Sequence, residues 1–106
     1  MILDPTRNEL FAAARGQGAW LGQQQLQTSA VSELAQALVA TGFAYDWQAQ
    51  EQAFPWFRYY SQRTLAMRRI GSTALNLAYV AAGRFDAFYA FDNFVWDLAA
   101  GVVLVR

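Results

Sequence analysis

The stretch AMRRIGSTALNLAYVAAGRFDAFYAF, residues 66–91, decides the fold because it contains a strand, a helix and a second strand in succession. The first strand is predicted over 66–70, and a glycine-containing turn leads from it into an apolar helix over 74–82. Gly83 ends that helix, and an aromatic strand follows over 86–91. Two strands joined by a helix predict a parallel pair with a crossover connection.

The same alternation extends on both sides of this stretch. Pro55 is expected in the first turn of a helix, because the N–H group that proline lacks would have no partner there. The segment 46–52 before it is polar. Predicted around the central unit, in chain order, are a helix over 29–36 capped by Ser29, a strand over 38–43, a helix over 54–65 and a last helix over 94–106. This alternation favours an α/β fold of stacked α and β layers.

Residues 1–27 follow a different pattern. Short apolar runs alternate there with turns rich in Gly, Asn, Asp and Pro, which predicts an antiparallel β-meander. We therefore expect two units, a β-hairpin segment over 1–27 and a parallel-type α/β domain over 28–106. The last helix reaches Arg106 without a stop signal, so we expect the second unit to be truncated at its C-terminus.

Composition excludes several classes of function. Eight basic and eight acidic residues give a formal net charge of zero, which argues against a nucleic-acid partner. The absence of Cys and His excludes disulfides, thiol chemistry and imidazole catalysis within these residues. No charge-free apolar run reaches the roughly 18 residues that a membrane span requires. Because Met1 opens no signal-peptide pattern, we expect a cytoplasmic protein.

Asp97 stands at the head of the apolar run LAAGVVLV, where a buried helix is predicted. One interpretation is structural, because an acid in the first turn of a helix meets the positive end of the helix dipole, worth about 0.3–1 kcal/mol. The other is a metal ligand, because Mg²⁺ takes one or two protein carboxylates and completes its shell with water and phosphate. The residues alone leave both interpretations open.

Gly71, Ser72 and Thr73 form the second candidate site. Free N–H groups at a helix start attract anions, and hydroxyl groups add hydrogen bonds, so this turn is suited to a phosphate. The alternative is an ordinary helix with Ser72 or Thr73 as N-cap. Arg68 and Arg69 alternate along the preceding strand, so at most one of them faces such a site.

Three further segments have mainly structural interpretations. Residues 54–60, FPWFRYY, mix aromatic side chains with arginine as base-stacking surfaces do, but at zero net charge a core or dimer interface is favoured. The Asp-Pro-Thr run that starts at Asp4 is a turn between two strands. Asp86 and Asp92 flank an aromatic strand and are predicted at its edge and in its turn.

The segment WDLAAGVVLVR, which begins at Trp96, resembles the carboxy-terminal signature of the inositol monophosphatase family. Upstream blocks occur in the expected order. DPTRNELFAAARGQGAWL is similar to the family's central hairpin, LVATGFAYD to the first strand and loop of its second domain, and RRIGSTALNLAYVAAGRFDAFY to its Gly-Ser-Ala helix and following strand. The resemblance covers essentially the whole chain.

This resemblance implies a Mg²⁺-dependent, Li⁺-sensitive phosphatase of phosphate monoesters with stacked α and β layers, commonly a homodimer. It implies that Asp97 binds metal and that Gly71, Ser72 and Thr73 line the substrate pocket. The family's metal-binding Glu and its Asp-Pro-x-Asp-Gly-Thr loop, which belong to an upstream half, are not among these residues. Ala90 stands where inositol-specific members have a Glu, which argues mildly against inositol as the substrate.

We therefore expect part of a Mg²⁺-dependent phosphatase that hydrolyses a small sugar or inositol-type phosphate monoester. By itself the chain should be inactive, and the missing N-terminal half of the family fold would complete it. The alternative is a non-catalytic module, truncated or a pseudoenzyme, that packs or dimerises through its aromatic surface. The reading frame upstream of Met1 distinguishes the two, since the enzyme needs the missing acidic motifs to be encoded there.

Overall fold

The computed structural model describes all 106 residues, which form two β-sheets and three α-helices. The strands are β1 Ile2–Asp4, β2 Glu9–Ala14, β3 Gly18–Leu21, β4 Gln24–Gln25, β5 Leu38–Thr41, β6 Ala66–Arg68 and β7 Ala87–Tyr89. The helices are α1 Trp47–Ser61, α2 Thr73–Ala81 and α3 Val95–Val105. None of the three helices has the length and apolarity that crossing a bilayer requires.

Strands β1 to β4 form an antiparallel sheet in chain order, as the meander pattern predicts. Ile2 pairs with Phe11, and Phe11 pairs with Leu21, so three apolar side chains stand side by side on one face. The Phe11 ring is completely buried. Left-handed backbone at Asn8 and Gly16 makes the turns between the first three strands.

Strands β5, β6 and β7 form a parallel sheet in the order β6-β5-β7. Helix α1 connects β5 to β6 and α2 connects β6 to β7, which is the predicted crossover pattern. The Ser72 side chain caps α2 by accepting the Leu75 N–H at 3.2 Å. Gly83 has a φ of +70° just beyond the helix, as expected for a residue that ends it. The predicted α/β fold class is confirmed.

Helices α2 and α3 form the layer between the two sheets. They pack on each other, α3 also contacts β2 and β3, and α2 contacts β1 on one side and β7 on the other. The core contains Phe11 from the first sheet, Ala40 from the second, Ala78 and Tyr79 from α2, and Leu104 from α3. Because both sheets share this core, the division at residue 27 stays a prediction.

Two polar contacts also hold the antiparallel sheet against α2 and the loop after it. The Tyr79 hydroxyl donates a hydrogen bond of 2.9 Å to the carboxylate of Asp4. The Arg84 guanidinium donates two hydrogen bonds, of 2.6 and 2.7 Å, to the Glu9 carboxylate. Each contact joins residues 75 positions apart in the chain, so these bonds fix tertiary rather than local structure.

The helix predicted over 29–36 is wrong. Only a single 3₁₀ turn forms there, at Leu34–Gln36, and Ser29 caps no helix. Val31 and Leu34, which suggested an amphipathic face, are 41% and 43% exposed. A helix this short is marginal unless it buries an apolar face, because its first turn is costly to nucleate.

The predicted start of α1 is also wrong. The N-cap is Asp46, whose carboxylate accepts the Ala49 N–H at 2.9 Å. The polar segment 46–52 is therefore helical, and Pro55 lies in the helix interior rather than in the first turn. Pro55 has no N–H to donate to the carbonyl of Glu51. Glu51 and Pro55 are exposed, so the free carbonyl is accessible to water.

Candidate functional site

The carboxyl ends of the three parallel strands open into one cavity. Strands β5, β6 and β7 each end two residues earlier than predicted, because the chain turns away into loops there. Gly42, Arg69 and Ala90 directly follow the three strands, and all three line a cavity of about 820 Å³. The N-termini of α1, α2 and α3 face the same edge, which is where open parallel sheets bind ligands.

The cavity lining combines charged, neutral polar and aromatic side chains. The polar members are Asp46, Arg69, Ser72, Thr73, Asn76, Asp92, Asn93 and Asp97, and the aromatic members are Phe43, Tyr45, Phe91, Phe94 and Trp96. Both candidate sites predicted from the sequence therefore lie on the wall of one cavity.

Gly71, Ser72 and Thr73 form the part of the wall between β6 and α2. Gly71 has a φ of +83°, a left-handed conformation that favours glycine and turns the chain into the helix. The hydroxyl of Ser72 is used in capping α2, whereas the Thr73 hydroxyl donates to the side-chain oxygen of Asn93 at 2.8 Å. The first N–H groups of α2, which have no partner within a helix, lie beside these side chains.

Asp97 lies in the first turn of α3 and lines the same cavity. One carboxylate oxygen accepts the Phe94 N–H at 3.2 Å, which is the structural role that a first-turn acid is expected to have. This is the only hydrogen bond of the side chain, so its second oxygen has no partner in the chain. The structural and metal-ligand interpretations are therefore compatible in this geometry.

The acidic groups of the cavity do not form a complete metal site. No three or more Asp, Glu, His or Cys side chains are grouped so that they could hold a metal ion. The free oxygen of Asp97 fits Mg²⁺ chemically, because hard cations prefer carboxylate oxygens. Asp46 likewise uses one of its two oxygens to cap α1. Asp97 can therefore supply one ligand of a Mg²⁺ ion but not the whole coordination shell.

Three polar residues of the cavity were not singled out from the sequence, and these are Asp46, Asn76 and Asn93. Asn76 is only 1% exposed, and its amide oxygen has no hydrogen-bond partner. Its spacing of three residues from Thr73 places both on one face of α2, which is a signal that sequence reasoning could have used. Asn93 had no such signal, since its partner Thr73 lies 20 positions away.

The remaining charged residues agree with their predicted roles. Arg69 lines the cavity and Arg68 does not, and the Arg69 guanidinium carbon lies 5.3 Å from the centre of the Phe43 ring. Asp86 accepts the Leu38 N–H at 2.6 Å and so joins the starts of β7 and β5. Asp92 adopts a φ of +58° in the turn after β7.

The sequence model of the inositol monophosphatase family matches residues 1–106, so the chain belongs to the inositol monophosphatase family. Its fold agrees with this assignment. The solved structure of the inositol monophosphatase from Anabaena superposes with a TM-score of 0.94 at 40% identity, covering 98% of this chain and 42% of that one.

Two of the similar proteins have different names. A protein named Nus factor SuhB from Pseudomonas aeruginosa is 44% identical over 109 residues, which cover all of this chain and 40% of that protein. An inositol-1-monophosphatase from Synechocystis is 40% identical over 107 residues, which cover all of this chain and 37% of that protein. The chain thus spans about 40% of the length of the relatives it matches.

Proposed function

We propose that these residues belong to a Mg²⁺-dependent phosphatase that hydrolyses a small sugar or inositol-type phosphate monoester. The observation that supports this best is the convergence of Asp97 and the turn 71–73 on one cavity, at the carboxyl edge of a parallel sheet. In this proposal Asp97 binds metal, and Gly71, Ser72 and Thr73 bind substrate.

The phosphate would lie near the start of α2. Unpaired N–H groups and the helix dipole make that end positive, which favours a bound phosphate group. Arg69 adds a full positive charge on the same wall. Magnesium, when bound at Asp97, supplies a Lewis acid that polarises the phosphate and lowers the pKa of bound water.

The chain would not catalyse this reaction alone. It groups no three acidic side chains that could hold a metal ion, and it spans about 40% of its relatives' length. We propose that the N-terminal part of the family fold supplies the other metal ligands. We further propose that the whole protein is cytoplasmic and forms a homodimer, as the family resemblance implies.

The test is Asp97→Asn in the complete protein that contains these residues. Asparagine keeps an oxygen that can accept the Phe94 N–H but loses the negative charge that a cation needs. We expect Mg²⁺-dependent hydrolysis of phosphate monoesters to fall by about 10- to 100-fold, with the circular dichroism spectrum unchanged. Calorimetric titration with Mg²⁺ gives a second readout, in which the variant should bind more weakly.

The matched control is Asp92→Asn, which removes a carboxylate from the same cavity without touching α3. Activity in this variant should stay within a few-fold of the wild type. Unchanged Mg²⁺-dependent turnover in Asp97→Asn would contradict the metal role.

A second candidate function is a non-catalytic role as a Nus factor. It is supported by the 44% identity with the protein named Nus factor SuhB, which exceeds the 40% identity with the Synechocystis phosphatase. This role would match the alternative of a non-catalytic packing module. Complementation of an Escherichia coli strain lacking SuhB separates the two, since a non-catalytic role should survive Asp97→Asn and a phosphatase role should not.

A further inference from the structure

A small cleft of about 180 Å³ lies between α1 and the turn that follows β7. Its lining residues are Ala49, Gln52, Trp56, Phe91 and Asp92. Spacings of three and four residues place the first three of these on one face of α1. Gln52 and Trp56 do not line the main cavity, and neither Asp97 nor the turn 71–73 lines the cleft. The proposed hydrolysis therefore leaves this cleft without a role.

Asp92 gives the cleft a carboxylate that the chain leaves unpaired. The structure has two salt bridges, which join Asp4 to Arg7 and Glu9 to Arg84. Asp92 takes part in neither, so no cation of this chain neutralises it. An anionic ligand would be repelled by this charge, and a neutral apolar ligand would cover it without pairing it. The carboxylate therefore favours a positively charged ligand.

Two aromatic rings of the cleft are open to such a ligand. Trp56 is 50% exposed and Phe91 is 44% exposed. Each ring packs edge-on against a tyrosine, Trp56 against Tyr59 with centroids 6.5 Å apart and Phe91 against Tyr89 at 6.2 Å. Tyr89 packs in turn on Tyr60 of α1, at 4.8 Å. These contacts restrict both rings before a ligand binds, which lowers the cost of ordering them.

We propose that this cleft binds a guanidinium group. Its planar face would lie on the ring of Trp56 or Phe91, since a cation is attracted to the face of an aromatic ring. Its N–H groups would donate to the Asp92 carboxylate and to the amide oxygen of Gln52. An ammonium group is compact and more strongly hydrated and has no flat face to stack, so it fits this combination less well.

The size of the cleft agrees with this ligand. At roughly 30 Å³ for each water molecule, its volume corresponds to about six waters. That space accommodates a guanidinium group with the methylene groups next to it. The group can belong to a free guanidino compound or to an arginine of another protein chain, and the experiment distinguishes these sources.

The test titrates the complete protein with N-acetylarginine amide and with N-acetylcitrulline amide, a neutral molecule of nearly the same shape. Nuclear magnetic resonance follows the indole N–H signal of Trp56, which is assigned by its loss in Trp56→Leu. We expect the arginine compound to shift this signal in a saturable way and to bind roughly fivefold more tightly than the citrulline compound. N-acetyllysine amide should bind with intermediate affinity. Equal Kd values for the arginine and citrulline compounds would overturn the proposal.

Variants connect the binding to the cleft. Asp92→Asn removes the charge and keeps the shape, so it should weaken binding of the arginine compound by about two- to fivefold. Its matched control is Glu51→Gln, which removes an exposed carboxylate of α1 that does not line the cleft. Trp56→Leu should also weaken binding, measured by calorimetry, and Trp47→Leu is its control on the same helix. A control variant that loses as much affinity as its partner would refute the assignment to this cleft.

Two further measurements identify the source of the guanidinium group. Sedimentation compares the self-association of Asp92→Asn with that of the wild type, and weaker self-association would identify an arginine of a second copy. Agmatine represents a free ligand, and tighter binding of agmatine than of N-acetylarginine amide, with self-association unchanged, would identify a small molecule. Either result supports a guanidinium site. No binding of either compound, together with unchanged self-association, would refute it.

Discussion

Asp4 is a charged residue that lies almost completely inside the fold, with 1% of its surface exposed. Its carboxylate accepts hydrogen bonds from the backbone and hydroxyl of Thr6, from Arg7, and from the Tyr79 hydroxyl. These donors, with the Thr6 hydroxyl foremost, hold the pKa of Asp4 well below its ordinary value because they favour the charged form. One residue thus organises the first turn and anchors it to α2.

Stability should depend on pH through this residue. A carboxyl whose pKa is lower in the folded than in the unfolded chain stabilises the fold above the unfolded value of 3.8, and this contribution is lost as the pH falls through the folded value. We expect the thermal midpoint of unfolding to fall as the pH drops from about 5 to about 3. Asp4→Asn should melt at a lower temperature at neutral pH and show a shallower fall.

Circular dichroism melts at a series of pH values measure both effects. Some dependence should remain in Asp4→Asn, because Arg84 lowers the pKa of Glu9 in the same way. Identical pH slopes for the two proteins would show that Asp4 is not the group responsible.

At the scale of elements, the crossing of α2 and α3 depends on a glycine. A Cβ atom added at Gly101 would lie 2.5 Å from the Cβ atom of Leu77, which is far inside normal carbon contact. Glycine therefore allows the close approach of the two helices whose first turns contain Thr73 and Asp97. The distance between these two first turns on the cavity wall therefore depends on how closely the helices pack at Gly101.

Gly101→Ala should lower the free energy of unfolding by roughly 1–2 kcal/mol, because overpacking exceeds the helix propensity gained from alanine. Chemical denaturation measures the change. The matched control is Gly42→Ala, whose added Cβ would lie 3.5 Å from the Cβ of Ala90 and should change stability little. Leu77→Gly, which removes that Cβ, combined with Gly101→Ala should recover part of the loss; simple additivity would contradict a direct clash.

The elements differ in how well the sequence predicted them. In α2, the Ser72 cap, the apolar face and the Gly83 stop all agree, so its bounds were predicted within a residue. In α1, polar residues and Pro55 concealed the first half, which forms because Asp46 caps it. The segment 29–36 has helical spacing but no surface to pack on, so its local pattern produced no helix.

At the scale of the whole molecule, the chain has more surface than a folded protein of its size. Its accessible surface is 7285 Å² for a mass of 11.9 kDa, and only 15 of 106 residues are buried. A compact monomer of that mass would expose about 6,000 Å². The excess of about 1,300 Å² is larger than the roughly 800 Å² that one partner contributes to a standard interface.

Much of this extra surface is apolar. Val95 and Trp96 at the start of α3 are 77% and 75% exposed, and Trp47 at the start of α1 is 66% exposed. The stacked rings of Phe94 and Trp96, with centroids 4.6 Å apart, stand at the cavity. Such a surface indicates contact with further protein, and the missing N-terminal part of the family fold is the occupant we propose.

We therefore expect residues 1–106 alone to bind a hydrophobic dye strongly and to self-associate. Dye fluorescence and analytical ultracentrifugation measure the two properties. The complete protein should bind much less dye, and replacing Val95 and Trp96 by serine should weaken dye binding to the isolated residues. A dye-free monomer with one cooperative melting transition would contradict the need for a covering partner.

The amino-acid sequence by itself determined the strand and helix alternation, the meander at the start, the turn at 71–73 and membership of the family. These features depend on the spacing of apolar residues and on short capping and turn motifs, which act between near neighbours. Which residues face each other depended on tertiary structure. Thr73 meets Asn93 across 20 positions and Asp4 meets Tyr79 across 75, and one oxygen of Asp97 stays free because of where α3 is placed. Packing of α2 and α3 between two sheets brings these groups together, and no local pattern encodes such distances.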